Sequence, residues 1–174
     1  MSNSILQRQH AVKSGAPDAL DASADIPPRT PAGDAFSAFI VQVFQLNGLL
    51  LAAGDALARP AGQTSARWRV LAAVEDAPST VAQIARAWRL ARQSVQRVAD
   101  VLVREGLAVY EKNPSHRRAK LLRLTPRGRS ALRTIQTAQR VWADALGAEI
   151  GEADLRQASA VLARASRVVM SRHR

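Results

Sequence analysis

Five polar residues crowd into six positions at Arg92, Gln93, Ser94, Gln96 and Arg97, and each type suits one part of a nucleic-acid duplex. Arg matches O6 and N7 of guanine, Gln matches N6 and N7 of adenine, and Ser reaches a phosphate oxygen. A polar face on an amphipathic helix is also what solvation alone produces, so on this segment by itself the two readings weigh about equally. Downstream lies a basic, turn-forming stretch, Lys112-Asn113-Pro114-Ser115-His116-Arg117-Arg118-Ala119. Its position shifts the balance toward a polyanion.

The charge distribution points the same way. Lys and Arg number 25 against 14 Asp and Glu, a net charge of +11. Residues 81–130 hold 12 Lys/Arg and 3 Asp/Glu, so +9 of that charge sits there and +2 everywhere else. A composition merely rich in Arg and Ala would scatter cations such as Arg164 and Arg172, and explains the clustering poorly. Nearly all the cations are Arg, the side chain that forks onto phosphates and guanine edges.

Other chemistries lack their residues. With no cysteine, disulfides, thiolate zinc sites and thiol redox sensing are excluded. His10, His116 and His173 are too dispersed for a metal site, and no glycine-rich phosphate loop is present. An enzyme, a metal and a cofactor are therefore not expected. RNA is disfavoured because the basic segment has no interleaved aromatics for stacking unpaired bases. The longest aliphatic run, Gly48 to Ala53, falls far short of the ~20 residues of a membrane span, so a soluble cytoplasmic protein is expected.

The elements that must position these residues follow from periodicity and capping. Residues 1–33, broken by Pro17, Pro27, Pro28 and Pro31, read as a flexible arm. From Asp34, a suitable N-cap, Phe36, Phe39, Ile40, Val43, Phe44, Leu50 and Leu51 recur at helical spacing, giving a first helix within 34–63. Thr64 caps a second helix carrying Trp68, Val70, Leu71 and Val74. Thr80 and Gln83 stand in capping-box register and open a third, which packs Val81, Ile84, Ala85 and Trp88 inward. A fourth spans about 92–105, with Val95, Val98, Ala99 and Leu102 buried and Gly106 as its left-handed stop. Two short strands flanking the basic turn make a hairpin over about 107–124. Thr125 and Pro126 then start a long helix to about Ile150, and after Gly151 a last helix carries Leu155, Ala158, Val161, Leu162, Ala165, Val168 and Val169 on one stripe.

Two short helices, a tight turn and a hairpin are the winged helix-turn-helix order, in which the second helix of the pair enters the major groove. The expected fold is mainly α with a small β-hairpin wing: a DNA-binding lobe over 64–124 and a helical dimerisation lobe from 34–63 and 125–174. The apolar stripes of the first and last helices have no remaining core to join, so a second subunit must cover them.

Over about residues 35–172 the chain resembles the MarR family of winged helix regulators. The resemblance is carried by Ala66-Arg-Trp-Arg-Val-Leu71, Thr80-Val-Ala-Gln-Ile-Ala85, Arg92-Gln-Ser-Val-Gln-Arg97, Arg104-Glu-Gly-Leu107, Asn113-Pro-Ser-His-Arg-Arg118 and Leu124-Thr-Pro-Arg-Gly128. It implies a triangular homodimer whose first, fifth and sixth helices interlock, with recognition helices in successive major grooves of an inverted repeat. It implies that Arg118 is the wing residue entering the minor groove. Thr80, Arg92, Gln93, Ser94, Gln96, Arg97, Asn113, His116, Arg117 and Arg118 are the expected DNA-contacting residues.

Three positions depart from the family pattern. Arg89 stands where glycine often makes the turn. Ala91 replaces the usual Ser or Thr cap, a loss of ~1 kcal/mol. His116 replaces the Asp that often holds the wing Arg, leaving the wing to be oriented by another group such as Asn113. A protonated His116 would contact phosphate and tighten binding below about pH 6.5, while a solvated loop His fits the sequence equally well.

The expected function is a sequence-specific DNA-binding regulator, a repressor of nearby genes released by a small, aromatic ligand. The alternative is a basic architectural protein with little sequence preference. The resemblance places an effector cleft beside the first two helices, where Asn47, Asp55, Arg67 and Trp68 are the candidate residues. Asn47 bonding across helices, Trp68 as core and an Asp55–Arg67 bridge are the competing structural roles.

Overall fold

The computed structural model describes residues 28–116 and 118–172. Its elements run α1 (Pro31–Ala58), a 3₁₀ turn (Arg59–Ala61), α2 (Ser65–Ala72), β1 (Ser79–Thr80), α3 (Val81–Trp88), α4 (Arg92–Arg104), β2 (Ala108–Glu111), β3 (Leu121–Leu124), α5 (Pro126–Ile150) and α6 (Glu152–Arg172). The fold is mainly helical with a small antiparallel sheet, as the sequence indicates.

The chain divides into two units, Met1–Gln42 and Val43–Arg174, and the division falls inside α1. In the first unit Thr30 Oγ1 accepts the Gly33 N–H at 3.1 Å and Pro31 opens the helix, three residues ahead of the expected start at Asp34. Proline's missing N–H falls among donors that a helix start leaves unpaired anyway. The same Thr-Pro signal announces α5. Residues 1–27 of the expected arm lie outside the described residues.

Together with its 3₁₀ turn, α1 is long and apolar enough, by length and composition, to cross a membrane. That corrects the expectation drawn from the run Gly48–Ala53. Counting unbroken aliphatic residues undercounts a helix in which Gln42, Gln45 and Asn47 are spaced among apolar neighbours and only Asp34 and Asp55 carry charge.

In the second unit the core is built around α2, α3 and α4. Val70, Leu71 and Val74, Ile84 and Ala85, and Val95, Ala99 and Leu102 meet Leu107, Leu122, Leu124 and Leu132 in one cluster. Burying a side chain such as Leu71 or Leu102 contributes about 1.5–3 kcal/mol. Trp88 departs from expectation: it is 44% exposed. It shares a helical face with Val81, Ile84 and Ala85 but sits at the last position of an eight-residue helix, where the core has ended.

The sheet has three strands in the order β1-β3-β2, one more than the expected hairpin. β1 is only Ser79 and Thr80, paired antiparallel with Leu122 and Leu121. Two residues ahead of a helix cap carry no alternation that a sequence could display.

At the junction with α5, Thr125 Oγ1 donates toward the carbonyls of Gly106 and Leu107 at 2.8 and 3.1 Å and accepts the Gly128 N–H at 3.1 Å. Leu132 and Ile135 are buried farther along α5, whereas α6 buries no residue.

Candidate nucleic-acid interface

α3 is fixed at its start by a complete capping box. Thr80 Oγ1 accepts the Gln83 N–H at 3.2 Å, and Gln83 Oε1 accepts the Thr80 N–H at 2.7 Å and the Thr80 hydroxyl at 2.9 Å. The hydroxyl is thus committed on both its donor and acceptor sides and Thr80 is buried. This corrects the expectation that Thr80 offers it to a phosphate; it serves as a cap.

The turn into α4 is made by Arg89 with φ 51° and ψ 42°. Among the described residues it alone is a non-glycine with positive φ, at the position where glycine was the anticipated type. Ala91 caps α4 from an extended conformation without any side-chain hydrogen bond. α4 buries Val95, Ala99 and Leu102 and exposes Arg92, Gln93, Ser94 and Arg97, with Gln96 half-buried. Arg92 and Gln96 join Thr80, Tyr110, Arg118 and Lys120 around a cleft of about 270 Å³. Four of the expected interface residues therefore converge on one opening between α4 and the wing.

The wing turn is held by Asn113, as the replacement of an acid by His116 led us to expect. Its Oδ1 accepts the Ser115 N–H at 3.0 Å and its carbonyl accepts the His116 N–H at 3.3 Å, an Asx-type turn. The His116 carbonyl accepts the Ala119 N–H at 3.2 Å. Arg118 and His116 are exposed, and Arg117 lies outside the described residues. Below the tip, Arg123 Nε and Nη2 both reach Glu111 Oε1 at 2.6 Å, tying β3 to β2.

Three residues escaped the sequence reading. Gln96 Nε2 donates to Asp100 Oδ1 at 2.9 Å and to Tyr110 Oη at 2.8 Å, and the phenol donates to Asp100 Oδ1 at 2.8 Å. Lys120 Nζ stands 6.0 Å from the Tyr110 ring centroid. Burial first, then Asp100 as hydrogen-bond partner and charge, pushes the Tyr110 hydroxyl up to about 12. The spacing of Gln96 and Asp100, one helical turn, was visible in sequence; the approach of a strand residue 10 positions beyond Asp100 was not.

The expected effector residues separate into two groups. Asn47 and Trp68 line a cavity of about 210 Å³ together with Leu50, Leu51 and Arg69. Asp55 and Arg67 do not. Asp55 Oδ1 accepts the Ser65 N–H at 2.6 Å, a bond that holds its carboxyl below the usual range. Arg67 makes a two-pronged pair with Glu105, both contacts at 3.0 Å. The anticipated Asp55–Arg67 bridge is absent because each has a nearer partner. Arg69 takes Arg67's place at the cavity, and its buried Nε has no hydrogen-bond partner.

A family model described as MarR family matches residues 61–119. The uncharacterized protein Rv2011c of Mycobacterium tuberculosis is 45% identical over 102 residues, which cover 59% of this chain and 71% of that protein. The M. tuberculosis transcriptional regulator MosR, solved in complex with DNA, superposes with a TM-score of 0.63 at 25% identity, covering 75% of this chain and 96% of that one. Staphylococcus aureus MarR, solved with salicylate and kanamycin, gives 0.68 at 15% identity over 79% and 93% of the two chains. With its recognition helix, wing and flanking helices in this order, the chain belongs to the MarR family of winged helix transcription regulators.

Proposed function

We propose that this protein is a homodimeric, sequence-specific repressor that binds an inverted repeat and is released by a small anionic ligand. The observation that carries the reading is the polar face of α4: Arg92, Gln93, Ser94 and Arg97 all project from a helix whose opposite face is buried in the core. A merely basic architectural protein needs cations there, not paired Arg and Gln. In this reading Arg118 inserts into the minor groove from the wing, while His116 and Arg117 contact phosphates. The structure of MosR with DNA supports the same use of the fold.

Dimerisation is supported by apolar side chains left in solvent. Phe44 and Leu49 of α1 are 71% and 69% exposed, and Val141 of α5 is 69% exposed, with further exposed aliphatics along α6. A second subunit covers such a surface without placing Gln45 and Asn47 in lipid. The 210 Å³ cavity suits an aromatic acid, its ring on Trp68 and its carboxylate on Arg69 and Asn47. Binding that favours a dimer with its recognition helices at the wrong separation shifts the population away from DNA.

The test is footprinting on DNA flanking the gene, followed by affinity for the protected duplex against random duplex at one salt concentration. Half-sites centred about 10 base pairs apart and a strong preference for the protected duplex support the reading. Equal affinity for both duplexes overturns it in favour of an architectural protein.

A further inference from the structure

Gln96 has one acceptor oxygen and one amide NH₂, and the structure commits the whole of the NH₂. One hydrogen goes to Asp100 Oδ1 at 2.9 Å and the other to Tyr110 Oη at 2.8 Å. Their company fixes which way the amide points. A carboxylate only accepts, and the single phenolic hydrogen already goes to Asp100 at 2.8 Å, so an amide oxygen in that place would face two acceptors. Oε1 is what remains for a ligand.

We propose that Gln96 is an acceptor-only reader of the major groove, selecting A or C at one position of each half-site. The proposal rests on α4 being the base-reading helix. An unrestrained Gln pairs with adenine through both N6 and N7. With its hydrogens withheld, Gln96 accepts from N6 of adenine or N4 of cytosine equally well, and offers nothing to O6 and N7 of guanine or O4 of thymine. Tyr110 and Asp100 are positioning residues: they act through Gln96 and set what it can recognise. Because burial and Asp100 raise the Tyr110 hydroxyl to about 12, the phenol stays protonated and the ring of bonds stays closed across the physiological range. The same bonds tie α4 to β2, so the reading residue is braced against the wing.

The experiment measures binding of the full chain to duplexes carrying each of the four bases at every position of the protected half-site, for the parent and three variants. The parent should show one position where A and C bind within about threefold of each other and G and T bind about tenfold more weakly. Gln96→Ala should flatten that position alone. Tyr110→Phe and Asp100→Ala each free one amide hydrogen by a different route, and should turn the position from A-or-C into A, with C weakened about fivefold or more. Thermal melts establish that each variant is folded; Asp100 is exposed and its truncation leaves the core untouched. A Gln96-dependent position whose profile is unchanged in both folded variants overturns the proposal, as does a parent that selects A alone there. Base preferences that exist but ignore Gln96→Ala overturn it while leaving the regulator reading intact. A parent without preference at any position overturns both.

Discussion

Gly128 in the first turn of α5 lies directly against the carbonyl of Leu107, so close that a methyl group on Gly128 would overlap the Leu107 oxygen and stand 2.9 Å from its carbon. Both obstacles are backbone and cannot rotate away. Gly128→Ala should therefore destabilise the fold by about 2–3 kcal/mol, the upper range for overpacking, read as a lower denaturation midpoint. A melt equal to the parent's would mean that α5 can slide from the wing without penalty.

Arg89 and Ala91 are the two points where the helix-turn-helix departs from the least costly local chemistry. Arg89→Gly should relieve a left-handed non-glycine and stabilise by about 0.5–1 kcal/mol after glycine's own entropic cost. Ala91→Ser supplies the missing acceptor at the start of α4 and should add about 1 kcal/mol. Chemical denaturation of the two single variants measures both, and a loss of stability in either would show that the side chain now present has a role in the turn.

Tyr110 is the only tyrosine in the chain, so its ionisation can be followed without ambiguity by tyrosinate absorbance. Its folded-state value is raised from 10.0 to about 12. A raised acid is favoured in its neutral form by folding, so the stability it contributes is complete below pH 10 and is lost as pH rises toward about 12. Asp100→Ala should bring the titration midpoint back toward 10, and Tyr110→Phe should lack this alkaline component of the melt. A parent midpoint at 10 would contradict the burial and bonding described for the phenol.

Arg67→Met and Arg69→Met separate the roles of two neighbouring cations. Arg67 faces Glu105 at a partly exposed site, so its loss should cost about 1 kcal/mol or less of stability and leave ligand release of DNA unchanged. Arg69→Met and Asn47→Ala should weaken binding of aromatic carboxylates about tenfold, the equivalent of one charge-assisted hydrogen bond. The reporter is Trp68 fluorescence with Trp88 and Trp142 replaced by Phe. The assignment of the cavity fails if compounds that release DNA bind both variants as they bind the parent.

Light scattering at micromolar concentration should give twice the chain mass of 18.8 kDa. Phe44→Asp, placing a charge on the exposed apolar part of α1, should shift the population toward monomer and weaken operator binding, because one subunit reaches one half-site only. A stable monomeric parent would remove the basis for the inverted repeat.

The helices were legible where a cap coincided with a periodic stripe. Thr64, Thr80 and Thr125 each bond as their sequence context suggests, and Asn113 holds the wing where the usual acid is missing. What sequence did not reveal depends on distance in space. The pairing of Arg67 with Glu105 across 38 positions displaced it from the cavity in favour of Arg69, and the same helical face that buries Ile84 runs out before Trp88. The start of α1 was misread because Asp34 was weighed above the Thr30–Pro31 pair. The short β1 strand had too few residues to show a period at all.

Thr80 belongs at once to the sheet and to α3: its backbone pairs with Leu121 while its side chain closes the capping box. A single residue thus joins the wing to the helix preceding the reading helix, with no slack of even one peptide between them. The wing cannot swing on a hinge of its own; bending it must rotate α3, and α4 through the core they share. Any ligand that lifts Arg118 from the minor groove must withdraw α4 from the major groove in the same movement, so DNA release should proceed in one kinetic step, without a long-lived intermediate gripping a single groove.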